Sequence, residues 1–164
     1  AHAMAKRIVA KMWDPDNGLF WAKRDGQPIY IRTPFSLFPL LTGRLPSEIA
    51  QSLVNHLNNP NEFMPRYPVP SVAISDPNYN PEQMWRGPTW VNVNYLLTEG
   101  LQKSGYPELA DKLIKQTLEL INAREDIYEY YHPETGINPP KAASIVGWSS
   151  AIFIDLAVRS SRQA

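Results

Sequence analysis

The chain has 164 residues, enough for one ordinary domain with its own core, and its 43% hydrophobic and 20% charged content excludes a disordered or collagen-like polypeptide. Sixteen Lys plus Arg balance sixteen Asp plus Glu, so no surplus positive charge is available for phosphates or an anionic membrane, and neither nucleic acid nor membrane is an expected partner. The absence of cysteine removes disulfides, thiolate metal sites and Cys nucleophiles, and the three scattered His suggest no metal and no cofactor.

Ala1, Met4, Ala5, Ile8, Val9 and Met12 form a first helical stripe. The chain opens inside this pattern without an initiator Met, which suggests a piece of a longer polypeptide; a start at Met4 after three extra residues is the alternative. Trp13 to Arg32 carries the turn signals Asp16-Asn17-Gly18 and Asp25-Gly26 and reads as a small β-hairpin. Thr33 to Leu41, with Thr33 as N-cap and Pro34 at the first helical position, is apolar nearly all round, as buried helices are. From Pro46 to Asn58 the stripe is Ile49, Ala50, Leu53, Val54 and Leu57. Residues 60 to 88 hold seven prolines, which forbid helix through most of the loop and lower the entropy cost of ordering it. Trp90 to Lys103 (Val93, Leu96, Leu97, Gly100, Leu101) and Pro107 to Asn122 (Leu109, Ala110, Leu113, Ile114, Leu118, Ile121) are amphipathic, the latter with Glu108–Lys112 and Asp111–Lys115 as i,i+4 pairs. A long connection from Asp126 to Val146 follows, and Gly147 to Arg162 is apolar nearly all round, the mark of another buried helix. About six helices, alternately outer and inner in sequence, with long loops that tend to be functional, predict an all-α chain with the pattern of half an α/α toroid. A plain antiparallel bundle is the rival, but it does not need such long connections. No run of eighteen apolar residues and no charged-then-apolar leader is present, so a soluble protein is expected.

The densest chemical cluster is Met84-Trp85-Arg86-Gly87-Pro88-Thr89-Trp90-Val91-Asn92-Val93-Asn94, where the proline-rich loop meets a helix N-terminus. Free N–H donors and flat indole faces suit a polyol or a carboxylated ligand; the plain alternative is core packing for both Trp and a structural salt bridge for Arg86. Glu129, flanked by Tyr128, Tyr130 and Tyr131, is a carboxyl in an aromatic setting of the kind that tunes proton transfer, or else a rim carboxylate bonding nearby backbone. Asp76 before Pro77 reads as a turn former, and Asp155 inside the last helix as a group that bonds a neighbouring helix end. No phosphate loop, nucleophile elbow or His-Glu-x-x-His occurs, which leaves carboxylate chemistry.

Trp85-Arg86-Gly87-Pro88-Thr89-Trp90, followed by Asn92 and Asn94-Tyr95, resembles the signature of glycoside hydrolase family 63. Three further blocks agree in order: Pro68-Val69-Pro70-Ser71-Val72-Ala73 with Asp76-Pro77, Glu129-Tyr130-Tyr131-His132-Pro133 with Thr135-Gly136, and Gly147-Trp148-Ser149-Ser150-Ala151. Within that family the sequence is most similar to bacterial hydrolases of mannosylglycerate and glucosylglycerate. The resemblance implies a trehalase-like (α/α)6 toroid that hydrolyses an α-glycosidic bond with inversion and without metal or cofactor. It implies Glu129 as general base, and Trp85, Trp90, Arg86, Trp148 and Tyr130 as substrate contacts. Met84 stands where Tyr is common in the family. An inverting site needs a second carboxyl, the general acid, roughly 6.5 to 9.5 Å from the base; in the family this Asp belongs to the earlier half of the toroid. Residues 1–164 are therefore expected to be the C-terminal half of the catalytic domain, whose partners are a small sugar-glycerate substrate and either the missing N-terminal half or a second copy of the chain. Such an osmolyte substrate implies a cytoplasmic protein. A non-catalytic carbohydrate-binding or assembly module, and a purely structural helical remnant, are the rival readings.

Overall fold

A computed structural model describes residues 2–162; Ala1 of the first stripe lies outside the described residues. Helix α1 (His2–Met12) is followed by two separate two-stranded antiparallel hairpins, β1 (Trp13–Asp14) with β2 (Leu19–Phe20) and β3 (Lys23–Arg24) with β4 (Gln27–Pro28). The single hairpin read from the sequence is thus two, because each of the two Gly-containing turns closes its own pair of strands. Asp14 fixes the first: its carboxylate accepts from the Asn17 side chain at 2.8 Å and from Trp21 Nε1 at 2.8 Å.

Residues Pro34–Thr42 form a helix as expected, but a 3₁₀ helix. Pro39 inside it has no N–H to donate to a preceding carbonyl, so the run of backbone bonds is interrupted there. Thr33 precedes it in an extended conformation without a side-chain capping bond. Helices α2 (Ser47–Leu57), α3 (Val91–Lys103), α4 (Pro107–Asn122) and α5 (Gly147–Ser161) complete the described elements. Pro46 stands at the N-cap of α2, one place before the first turn.

The elements form two layers. The 3₁₀ helix, α3 and α5 make one, with α3 packed between the other two; α2 and α4 lie outside them, α2 against the 3₁₀ helix and α4 against α3 and α5. Gly100 allows a close approach of α3 to the 3₁₀ helix, since a Cβ there would stand 3.2 Å from both Leu40 Cβ and the Leu41 amide. The outer helices bury the faces their periodicity indicated: Ile49, Ala50, Leu53, Val54 and Leu57 on α2, and Ala110, Leu113, Ile114 and Ile121 on α4. Neither i,i+4 charge pair of α4 closes; Lys112 donates instead to Asn58 at 3.1 Å. His56 at the end of α2 joins three segments, with Nδ1 at 2.6 Å from Glu62 and Nε2 at 3.0 Å from the Asn17 carbonyl.

Helix α5 departs from expectation. It is apolar nearly all round, yet only Ser149 and Leu156 are buried, while Trp148, Ile154 and Val158 are exposed. One face rests on α3 and α4; nothing among the described residues covers the other. Asp155 forms an ion pair with Arg159 of its own helix at 2.8 Å, and Arg159 reaches across to Glu99 and Tyr95 of α3.

Candidate functional site

Two long connections meet at Thr89. Its backbone bridges Pro70 on one side and Tyr131 on the other, with Thr89 N–H donating to Tyr131 O at 2.7 Å and Tyr131 N–H donating back at 3.0 Å. The Thr89 hydroxyl donates to Tyr67 O at 2.8 Å. A narrow antiparallel strip therefore ties the proline-rich loop to the segment that carries Glu129. The strip is held from below by Asn94, fully buried on α3: its Oδ1 accepts from Val69 N–H at 2.9 Å and its Nδ2 donates to Pro68 O at 2.6 Å and Thr117 Oγ1 at 2.9 Å.

Glu129 lies between pinned neighbours. Tyr128 bridges Ser144, Glu129 N–H donates to Ala143 O at 2.9 Å, and the Tyr131 hydroxyl accepts from Tyr128 N–H at 2.8 Å. Glu129 itself is half-buried, next to the buried Tyr130. Burial, and secondarily the Glu129 charge, raise the Tyr130 phenol above its ordinary value, so it stays protonated beside the carboxylate.

An aromatic column runs beside this carboxylate. Trp85 stacks on Trp90 with ring centroids 3.8 Å apart and planes 6° from parallel, and Trp90 meets Tyr130 at 4.9 Å. Trp85 is 41% exposed, whereas Trp90 is 2% and Tyr130 1% exposed. Trp90 and Tyr130, both expected as substrate contacts, lie buried where the Thr89 bridge draws their segments into the core, and Trp85 alone of the column presents open aromatic surface. Arg86 is exposed and its Nε donates to Asn78 O at 3.0 Å, making a backbone contact rather than a salt bridge. Trp148 stands apart from the column, half exposed on the first turn of α5, and is linked to the Glu129 segment through the Tyr128–Ser144 bridge and the Ile145 N–H to Ile127 O bond of 2.9 Å.

Trp85 and Arg86 also border an apolar groove of about 690 Å³ between α1, the hairpins and the 3₁₀ helix, with Met12, Ile31, Phe35 and Phe38 among its walls. Phe35 was not singled out from the sequence, although Phe38 at i+3 and the preceding Pro34 mark a shared face at the helix start. It lies T-shaped on Phe38 at 5.2 Å and 6.1 Å from Trp85.

Asp76 is not a free acid. Its Oδ2 accepts from Arg32 N–H and its Oδ1 from the Asn78 backbone and side-chain amides, each at 2.9 Å. Burial acts to raise its pKa, but these bonds and the Arg32 charge outweigh it and hold the carboxyl below the ordinary Asp value. The turn role expected of Asp76 holds, with an added tie to the hairpin segment. No group of three metal-binding side chains is found among the described residues.

Residues 1–149 match the family model described as the mannosylglycerate hydrolase MGH1-like glycoside hydrolase domain. The chain is 34% identical over 145 residues to the mannosylglycerate hydrolase of Thermus thermophilus, covering 87% of this chain and 34% of that protein. It is 27% identical over 121 residues to the glucosylglycerate hydrolase of Mycolicibacterium hassiacum, covering 71% of this chain and 26% of that one. Among solved structures, a GH63 mannosylglycerate hydrolase of Thermus thermophilus in complex with glucose superposes with a TM-score of 0.78 at 28% identity, over 92% of this chain and 35% of that chain. The present chain thus spans about a third of the length of these relatives. The alternation of inner and outer helices is that of the (α/α)6 toroid enzymes, of which these residues form a part. The extent of the family match, with the ordered motifs around Thr89, Glu129 and Trp148, places the chain in the MGH1-like glycoside hydrolase domain family, within glycoside hydrolase family 63.

Proposed function

We propose that the chain supplies the general base and one aromatic wall of a site that hydrolyses the α-glycosidic bond of mannosylglycerate or glucosylglycerate with inversion. Glu129 removes a proton from water as it attacks the anomeric carbon from the face opposite the departing glycerate. Trp85 and Trp90, with Tyr130 beside Trp90, supply the aromatic surfaces for the sugar; Trp148 borders the same pocket from α5; and Arg86, with its Nε held on Asn78, offers its remaining N–H groups to the ligand. The observation that carries this reading is the double pinning of Glu129, by Ala143 and through the Tyr131–Thr89 bridge, beside the aromatic column.

The departing oxygen needs a proton donor. Asp76 is saturated with hydrogen bonds and Asp155 is paired with Arg159, so neither fills that role. The second carboxyl comes from the part of the relatives that this chain does not span, the earlier half of the toroid, which also covers the open face of α5. A second copy of the chain is the other source of cover, but it would bring a second Glu129 rather than the acid. No described helix is long and apolar enough to cross a membrane, and we place the activity in the cytoplasm on the ground that its substrate is an osmolyte.

The test is glycerate release from mannosylglycerate and glucosylglycerate by the purified chain, alone and mixed with a preceding half-toroid from a relative, with Glu129→Gln as control. Release that appears on mixing and falls by a factor of at least about 10² in the variant is the expected result. Release that survives Glu129→Gln removes the assignment of the base.

A further inference from the structure

The segment Asn80–Gly87 is closed at its neck. Asn80 N–H donates to Arg86 O at 2.8 Å, Arg86 N–H donates to Gln83 O at 2.9 Å, and Arg86 Nε holds Asn78 O. Gly87 sits so close to this neck that a Cβ there would stand 2.6 Å from the carbonyl atoms of Asn80. The tip is held far less. Met84 and Trp85 make no hydrogen bond among the described residues, and Glu82 stands 3.9 Å from His132 on the Glu129 segment. Trp85 has φ +59, a left-handed backbone conformation that an L side chain adopts only at a cost.

What holds the tip in place is the indole itself, face to face on Trp90. The covered face of Trp90 has the chemistry of a sugar-stacking surface: a flat, apolar ring next to the Glu129 segment, whose Nε1–H is buried without an acceptor among the described residues. On the other side of Trp85 lies the apolar groove of about 690 Å³, with the Phe35 ring facing it at 6.1 Å. A cavity of roughly 150 Å³ already admits a benzene ring, so the groove has room for a displaced indole and an aromatic partner to receive it.

We propose that Trp85 is a displaceable cover: stacked on Trp90 it occupies the seat that a pyranose ring takes, and on ligand entry its indole swings toward Phe35 and becomes the side wall of the open site. This rests on the sugar-binding reading above. The neck supplies the fixed end of the motion and the unbonded tip its freedom. Because only the uncovered fraction accepts sugar, the stack lowers the apparent association rate by about two- to twelvefold, the range that an aromatic pair energy of this kind implies.

The test uses the full chain with D-mannose and D-glucose as probes. Two stacked indoles produce an exciton couplet in far-ultraviolet circular dichroism, which Trp85→Phe and Trp90→Phe should each abolish. Saturating sugar should remove it from the unaltered chain. In stopped-flow fluorescence the observed rate should level off with sugar concentration for the unaltered chain. In Trp85→Ala it should rise linearly from an initial slope about two- to twelvefold steeper, even where the variant's final affinity falls through a lost contact. Sugar binding seen only in Trp85→Ala supports the proposal as well. A couplet that persists at saturation, linear kinetics of equal slope in both proteins, or no binding by either, overturns it. Hydrolysis that survives Glu129→Gln would instead sink the catalytic reading and leave the cover standing.

Discussion

Replacing Asn94 by Ala is the sharpest test of the polar stitching beneath the site. The amide is fully buried and makes three hydrogen bonds, two of them to the backbone of the proline-rich loop. Its removal leaves the Val69 N–H and the Pro68 carbonyl without those partners, while Thr117 keeps its bond to Leu113 O at 2.7 Å. Val69 is itself fully buried, so its amide has little access to water. At about 1–3 kcal/mol for each of the two orphaned groups, the loss is about 2–6 kcal/mol, a large part of the roughly 5–15 kcal/mol that holds a domain together. Urea unfolding followed by far-ultraviolet circular dichroism measures it: with a slope of about 2 kcal/mol/M the midpoint should fall by about 1–3 M. Thr117→Val, which removes one of the three bonds and leaves the loop backbone satisfied, should cost about 1 kcal/mol. If Asn94→Ala costs no more than Thr117→Val, the loop backbone does not depend on this side chain and the reasoning fails. A control that reads the site rather than the fold is the Trp85–Trp90 couplet, which should weaken in Asn94→Ala below its unfolding midpoint as the strip carrying Thr89 loosens.

Asp76 has a folded pKa below its ordinary value of 3.8, so the unfolded chain binds more protons in the interval between the two. Its contribution is fully present above pH 3.8 and is lost as pH falls through the folded value; acid titration of stability should show this loss, and Asp76→Asn should flatten it. Gly87→Ala places a Cβ 2.6 Å from Asn80 backbone, so the neck must open; the indole couplet should vanish while the unfolding midpoint moves by far less than in Asn94→Ala. Arg159→Ala removes the tie from α5 to Glu99 and Tyr95, both on α3. With these side chains a quarter to a third exposed the cost should be about 1 kcal/mol, and hydrogen exchange should quicken in α5 before α2. Ile154→Lys with Val158→Lys places charge on the open face of α5, and sizing chromatography should show the chain shifting toward monomer if that face drives self-association.

The helices were legible because periodicity reports burial directly. The α2 stripe Ile49, Ala50, Leu53, Val54 and Leu57 is buried as its spacing indicated, and α4 spans the segment its pattern marked. Where the expectation failed, the missing information was an interaction partner. An apolar pattern in α5 states that a surface needs cover, not that this chain provides it, and Ile154 and Val158 stand open. Pro39 was visible, yet only the structure showed that the segment around it is a 3₁₀ helix and not an α-helix.

For the site, the aromatic and carboxylate motifs could be named from the chain, since Trp85, Trp90 and Glu129 lie in recognisable blocks. Their order in space could not. That Trp85 covers Trp90, that Tyr130 backs it, and that Asp76 is spent on amide bonds all depend on contacts between residues distant in sequence. Thr89 and Asn94 stand in the motif that the sequence marks, yet only the fold shows Asn94 holding the proline-rich loop and Thr89 tying that loop to the segment of Tyr131. Local composition thus determined which elements form and which chemistry is at hand. The tertiary structure decided which side chains meet, because a buried polar group takes whichever partner the packing of remote segments brings within hydrogen-bonding reach.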